Sequence, residues 1–96
     1  MYSIYILLSK RDGRLYVGCT SDVDERIIRH NNGHVKATKF RRPLELIYKE
    51  EFVDKSEAFS RERFFKSLWS GKIKKKILKD YMARLAQRES SPDSIS

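Results

Sequence analysis

Five side chains carry the chemistry in this 96-residue chain: Tyr5, Tyr16, Arg26, His30 and Glu62. Function is to be sought where polar residues take positions that the surrounding pattern assigns to a core. At about 100° per residue, Ala58, Glu62, Phe65 and Trp69 fall within roughly 60° of one another on one helix face. Glu62 is thereby flanked by aromatics, and a carboxylate there costs free energy unless it meets a cation, a metal or a hydrogen-bond donor. Two readings are open: a carboxylate at the stripe's edge, salt-bridged to an arginine, or a metal-binding or catalytic one. On an earlier helix Val23, Ile27 and His30 share a face, and Arg26, four residues before His30, points the same way. A histidine so placed is more often a hydrogen-bonded core residue than a catalyst. An arginine beside it is harder to dismiss, because a guanidinium is rarely buried without an anion. Taken alone, Tyr5 and Tyr16 are ordinary sheet aromatics.

As a set the five are chemically coherent. Phosphodiester hydrolysis needs a group that deprotonates water, positive charge for the pentavalent phosphate, and a metal that offsets charge on the leaving oxygen. A phenol serves as base only where a nearby cation or ion lowers its pKa. Arginine supplies bidentate phosphate contacts. One carboxylate in a phosphate-binding pocket suits magnesium, which keeps several waters and shares substrate oxygens. The same set is not unique to nucleases.

The elements that must position these residues follow from pattern. Tyr2 to Leu8 reads as a strand, Lys10-Arg11-Asp12-Gly13 as a turn, and Arg14 to Cys19 as a second strand, which makes a hairpin. A loop with an even number of residues puts Tyr5 and Tyr16 on one face, as close or diagonal neighbours. Asp22 with Glu25 three residues on opens a helix that Gly33 stops. After Pro43, the residues Leu44, Leu46, Ile47, Tyr48 and Phe52 form a third strand. Asp54 with Glu57 opens a second helix, expected to reach about Trp69 before Ser70-Gly71 breaks it. Ile73, Ile77, Leu78, Tyr81, Met82 and Leu85 then recur at helical spacing on a third, basic helix. From Glu89 onward, four serines, one proline and no periodicity predict a disordered tail.

Twenty-one Lys and Arg against thirteen Asp and Glu leave a formal charge of +8. That balance points to a polyanionic partner. Nine basic residues between Arg61 and Arg84 face only two carboxylates. Among them Lys72, Lys74, Lys75 and Lys76 are candidate phosphate contacts, and Lys36, Lys39, Arg41 and Arg42 form a second cluster before the third strand. Such patches give salt-sensitive affinity with little sequence choice. The plainer alternative for the third helix is a solvated face. Length allows one domain. The single Cys19 excludes an intramolecular disulfide and reads as a small buried filler. No Cys/His cluster has zinc spacing, no apolar run is long enough to cross a membrane, and no signal peptide is present, so the expected location is cytoplasmic.

In order and spacing, these residues resemble the GIY-YIG nucleases. Ser3-Ile4-Tyr5, then Tyr16-Val17-Gly18 after a short hairpin, matches the paired motif that names the family. Arg26 and His30, His30-Asn31-Asn32-Gly33, Arg42-Pro43 and Glu57-Ala58 ahead of Glu62 continue the match over roughly residues 1–83. The chain is similar to small stand-alone bacterial members, which are similar in turn to the N-terminal nuclease region of the bacterial excinuclease. The resemblance implies an α/β (α+β) domain over 1–83, with a three-stranded antiparallel sheet flanked by helices, and a helix end and tail over 84–96. It also implies metal-dependent cleavage of DNA, including branched or single-stranded DNA, linked to repair or processing. Carried over, Tyr5 is the general base toward water and Tyr16 assists it. Arg26 holds the scissile phosphate, His30 positions a tyrosine or moves a proton, and Glu62 binds one magnesium or manganese ion. Gly18 lets the backbone pass close to the site.

Two departures stand out. Position 3 is Ser where the motif has Gly. The stretch Gly71–Lys76 lacks the Asn or Gln that many members place after the metal carboxylate, so a lysine would contact phosphate there as a point charge. The competing reading is a nucleic-acid-binding module on the same scaffold, non-catalytic or dependent on a protein partner that supplies target choice. Loss of cleavage in Glu62→Ala with DNA binding retained would separate the two.

Overall fold

The structure, a computed structural model, describes residues 1–89. β1 (Tyr2–Ser9) pairs antiparallel with β2 (Leu15–Thr20) on one side and β3 (Leu44–Phe52) on the other, giving the order β2-β1-β3. The central strand is buried on both faces from Ser3 to Ser9, which is why Ile4-Tyr5-Ile6-Leu7-Leu8 is an unbroken run rather than an alternation. Ile4, Ile6 and Leu8 join Val17 and Ile47 on the face covered by α2 (Lys55–Lys66) and α3 (Gly71–Glu89), against Ala58, Phe65 and Tyr81. Tyr5 and Leu7 turn the other way with Leu44, Tyr16 and Leu46, toward Ile27 on α1 (Val23–Asn31). Fold class and sheet are as the sequence predicts.

The third strand changes phase. Ile6 pairs with Tyr48 but Leu7 with Leu46, so Ile47 is a bulge. The extra residue sends Ile47 and Tyr48 toward the α2–α3 layer while Leu44 and Leu46 stay on the α1 face. Three consecutive apolar residues are thereby all used.

Local chemistry places the joints. Ser9 closes the β1–β2 hairpin: its amide donates to Arg14 O, its Oγ accepts from the amides of Arg11 and Asp12, and it donates to Arg41 O at 2.7 Å. Asp22 caps α1 by accepting from the Glu25 amide at 3.1 Å, and Gly33 leaves the helix at φ +80°. Asp54 caps α2 through the Ser56 amide.

The second helix stops at Lys66, three residues short of the expected Trp69. Ser67 is extended, with ψ 164°, and its hydroxyl donates to Phe64 O. Ser70, fully buried, donates to Phe65 O and Ser67 O, so two serine hydroxyls take up the last carbonyls of α2. The 3-10 turn Leu68–Ser70 then carries Trp69 out of the predicted stripe, 88 % exposed. On α3 the buried stripe is narrower than predicted. Ile77, Leu78, Tyr81 and Leu85 pack on the core, while Ile73 and Met82 are exposed. Helix α3 runs unbroken across position 83 to Glu89, and the predicted tail beyond lies outside the described residues.

The Tyr81 hydroxyl is buried and has no hydrogen-bond partner among the described residues. An unsatisfied buried hydroxyl costs roughly 1–3 kcal/mol. Tyr81→Phe is therefore expected to raise the unfolding free energy in urea by about 1 kcal/mol, and a loss of stability would show that the hydroxyl is paired.

Candidate active site

Tyr5 sits at the middle of β1, opposite Gly18 on β2. A Cβ on Gly18 would stand 2.4 Å from both Cζ and Oη of Tyr5, so only glycine lets the phenol lie across the β2 backbone. Tyr16, opposite Leu7, is the diagonal neighbour that strand parity predicts, its ring centroid 6.3 Å from that of Tyr5. Helix α1 lies over this face. Its His30 ring meets both phenols edge-on, at 5.8 Å from Tyr5 and 5.0 Å from Tyr16.

A chain of hydrogen bonds runs through these groups. Arg26 Nε donates to Tyr5 Oη at 3.4 Å, Tyr5 Oη lies 3.0 Å from His30 Nε2, and His30 Nδ1 lies 2.7 Å from Thr38 Oγ1. Thr38 Oγ1 in turn donates to Val35 O at 3.5 Å. Tyr5, His30 and Thr38 are all completely buried. A guanidinium always donates, so the Tyr5 oxygen accepts from Arg26 and must give its own hydrogen away. One assignment of the imidazole leaves every hydrogen with an acceptor: Nδ1–H donates to Thr38, and Nε2 accepts from Tyr5. Arg26 hydrogen-bonds Tyr5, and the charge on Tyr16 adds to the rise in Arg26, so the second phenol lies close enough to act on the same cation.

Electrostatics follow from this burial. Burial pushes the Tyr5 phenol up and Arg26 pulls it down, while Tyr16 and Glu62 add to the rise. Hydrogen bonding to Tyr5 raises Arg26 further and keeps it charged. Burial, with Arg26 adding to it, lowers His30 to about 4, so the imidazole is neutral near pH 7.

Glu62 lies between Ala58 and Phe65 on α2, its side chain 18 % exposed, and pairs with Lys66 Nζ at 3.0 Å. Its partner is a lysine one turn on, not the arginine that the structural alternative supposed. The Glu62 charge also helps raise both Tyr5 and Cys19. Cys19 is half-buried against the core and burial raises its thiol, in keeping with a filler. Among the described residues no three His, Cys, Asp or Glu side chains cluster for a metal. What the site offers is one partly exposed carboxylate, a donor set that fits a hard ion keeping its waters and taking substrate oxygens.

The predicted phosphate contacts divide. Arg41 is consumed by the hairpin, donating to Asp12 at 3.2 Å and to Leu15 O. Arg42 donates to Lys39 O and Asn31 O, and its guanidinium packs over Gly33. Lys76 pairs with Asp80. Lys36, Lys39, Lys72 and Lys75 are exposed and Lys74 is half-buried, none of these five in an ion pair among the described residues.

Thr38 is the site residue that sequence reasoning missed. It lies eight positions from His30 inside a basic loop, and its only local signal is a β-branched hydroxyl among lysines.

Residues 1–76 match the family described as the GIY-YIG catalytic domain. UPF0213 protein SSP2268 from Staphylococcus saprophyticus is 55 % identical over 60 residues, which cover 62 % of this chain and 72 % of that relative. A UPF0213 protein from Bacillus pumilus is 44 % identical over 71 residues, covering 73 % and 71 %. With UPF0213 protein SERP0126 from Staphylococcus epidermidis the identity is 56 % over 52 residues, and the match spans 63 % of the relative's length, under two thirds. The solution NMR structure of UPF0213 protein BH0048 from Bacillus halodurans matches with a TM-score of 0.51 and 38 % identity, over 82 % of this chain and 84 % of that one.

Two outcomes are expected. Because the folded His30 pKa lies below its unfolded value of 6.5, the unfolded chain binds more protons between pH 6.5 and 4, and stability falls as pH drops through that window. Urea titrations should show wild type losing roughly 3 kcal/mol more than His30→Gln across it, and parallel curves would refute a neutral buried imidazole. Gly18→Ala should cost about 1–3 kcal/mol by overpacking against Tyr5, and an unchanged midpoint would mean that the ring does not lie there.

Proposed function

Because the chain belongs to the GIY-YIG catalytic domain family, a family of nucleases, we propose that it hydrolyses DNA phosphodiester bonds with one divalent ion. The observation that carries this reading is Tyr5 Oη held between Arg26 and His30, with Tyr16 packed edge-on against the same imidazole. Arg26 receives the scissile phosphate, since its fork of donors matches two phosphate oxygens and its charge offsets that of the pentavalent state. The 3.4 Å bond to Tyr5 is long, and the guanidinium gives it up to the stronger anion.

Tyr5 then acts as base in a coupled transfer. Its Oη takes a proton from the attacking water while its own proton passes to His30 Nε2, so no free phenolate has to form in a site that resists it. Thr38 holds the ring from the far side through Nδ1–H. Tyr16, half-buried beside His30 and Tyr5, orients the water. Glu62 would hold magnesium or manganese once Lys66 is displaced. When bound, the ion supplies positive charge that offsets the leaving oxygen. Lys36, Lys39, Lys72, Lys74 and Lys75 draw DNA in without choosing sequence. In this reading the enzyme works on repair or processing intermediates in the cytoplasm.

One observation favours a second reading, a DNA-binding module that cuts only with a partner. Tyr5 is wholly covered and Glu62 is held by Lys66, so both must be released before chemistry.

The test is cleavage of labelled single-stranded, duplex, splayed and flapped DNA with magnesium or manganese. Glu62→Ala and Arg26→Ala should each lose about 100-fold or more in rate, with binding kept in Glu62→Ala. Binding without cutting on every substrate would overturn the nuclease reading.

A further inference from the structure

We propose that the cavity lined by Arg11, Asn31, Lys39, Phe40, Arg42 and Pro43 holds one unstacked nucleotide of a DNA strand, its base on Phe40 and its phosphate on the three cations. The proposal rests on the reading that this chain acts on DNA, and it names the substrate class as DNA with an unpaired strand.

The cavity measures about 440 Å³, within the range of pockets that take small ligands. Three of its six lining residues are cationic and none is acidic. Phe40 is 77 % exposed, and burial of its ring contributes little to the fold. Lys39 Nζ stands 5.6 Å from the ring centroid, so the ring already keeps company with a cation. An aromatic face beside guanidinium and ammonium groups is the combination that binds single strands, each base stacking while the charges track the backbone.

The walls are fixed. Arg42 Nε donates to Lys39 O at 2.8 Å, and Asn31 is tied at both ends of its amide, giving to Leu44 O at 3.0 Å and accepting from Leu44 N at 2.8 Å. Arg41 anchors the same loop to the hairpin. Both ends of the Asn31 amide are engaged by the Leu44 backbone, so its main role in the cavity is to fix the wall, while the ring and the cations supply stacking and charge.

The position of the cavity suits a strand entering the active site. Asn31 follows His30 directly and Lys39 follows Thr38, the two residues joined by the 2.7 Å hydrogen bond. A base can lay its face on Phe40 only if it has left the duplex stack, so flapped, splayed and single-stranded DNA gain a contact that continuous duplex lacks.

Fluorescence anisotropy with the full chain in EDTA tests this without cleavage, using a labelled thymidine oligonucleotide and a blunt duplex of equal length. Phe40→Ala should weaken single-strand binding about tenfold and duplex binding by no more than about twofold, with Phe40→Trp restoring the single-strand affinity. An equal loss on both DNAs makes Phe40 a general contact and overturns the proposal, as does no loss on either. Because the readout is binding, a chain that passes this test yet never cuts DNA refutes the nuclease reading and not this one.

Discussion

The Tyr5 hydroxyl is a single oxygen with two demands on it, a hydrogen to accept from Arg26 and a hydrogen to give to His30. In a buried site neither demand can be met by water, so the partners have to be built in. Helix α1 lies over this face because Val23, Ile27 and His30 are on its inner side, and a four-residue spacing sets Arg26 one turn before His30. The 3-10 turn after α1 then satisfies the far nitrogen of the imidazole through Thr38. Removing any one link leaves a buried polar atom without its partner, so the site is as much a constraint on folding as a place for chemistry.

A second constraint joins the two faces of the sheet. Tyr5 belongs to the α1 face, while Glu62 rides on α2, which packs on the opposite face through Ala58 and Phe65. The two communicate because β2 is an edge strand and carries glycine where the phenol crosses it. The bulge at Ile47 serves the same division, since it lets one strand supply apolar side chains to both layers without leaving a gap in either. The core of this small domain is two thin layers, and the reactive groups occupy the margin where they meet.

Much of this was legible in the residues. Strand parity places Tyr5 and Tyr16 on one face, helical spacing places Arg26 with His30, and the misfit of a carboxylate in an apolar stripe singles out Glu62. What was illegible depends on contacts between distant segments. Arg41 counts as a free cation in sequence, yet Asp12 at the hairpin tip neutralises it. Trp69 fits the stripe by angle, but Ser67 ends the helix first and rotates it into solvent. Thr38 shows no periodicity at all, because its partner reaches it through a loop. A run of three apolar residues at Leu46–Tyr48 was the one visible hint of the bulge. The GIY-YIG family match adds the kind of chemistry, nuclease, and leaves the division of labour among these side chains to be read from geometry.

The form of His30 decides whether this geometry stands. Long-range proton–nitrogen correlation of the imidazole rings in labelled protein reads it directly. A neutral ring with its proton on Nδ1 and a bare Nε2, unchanged from pH 7 down to pH 5, is the expected result. An imidazolium at pH 6, or a proton on Nε2, would break the transfer from Tyr5 and contradict it.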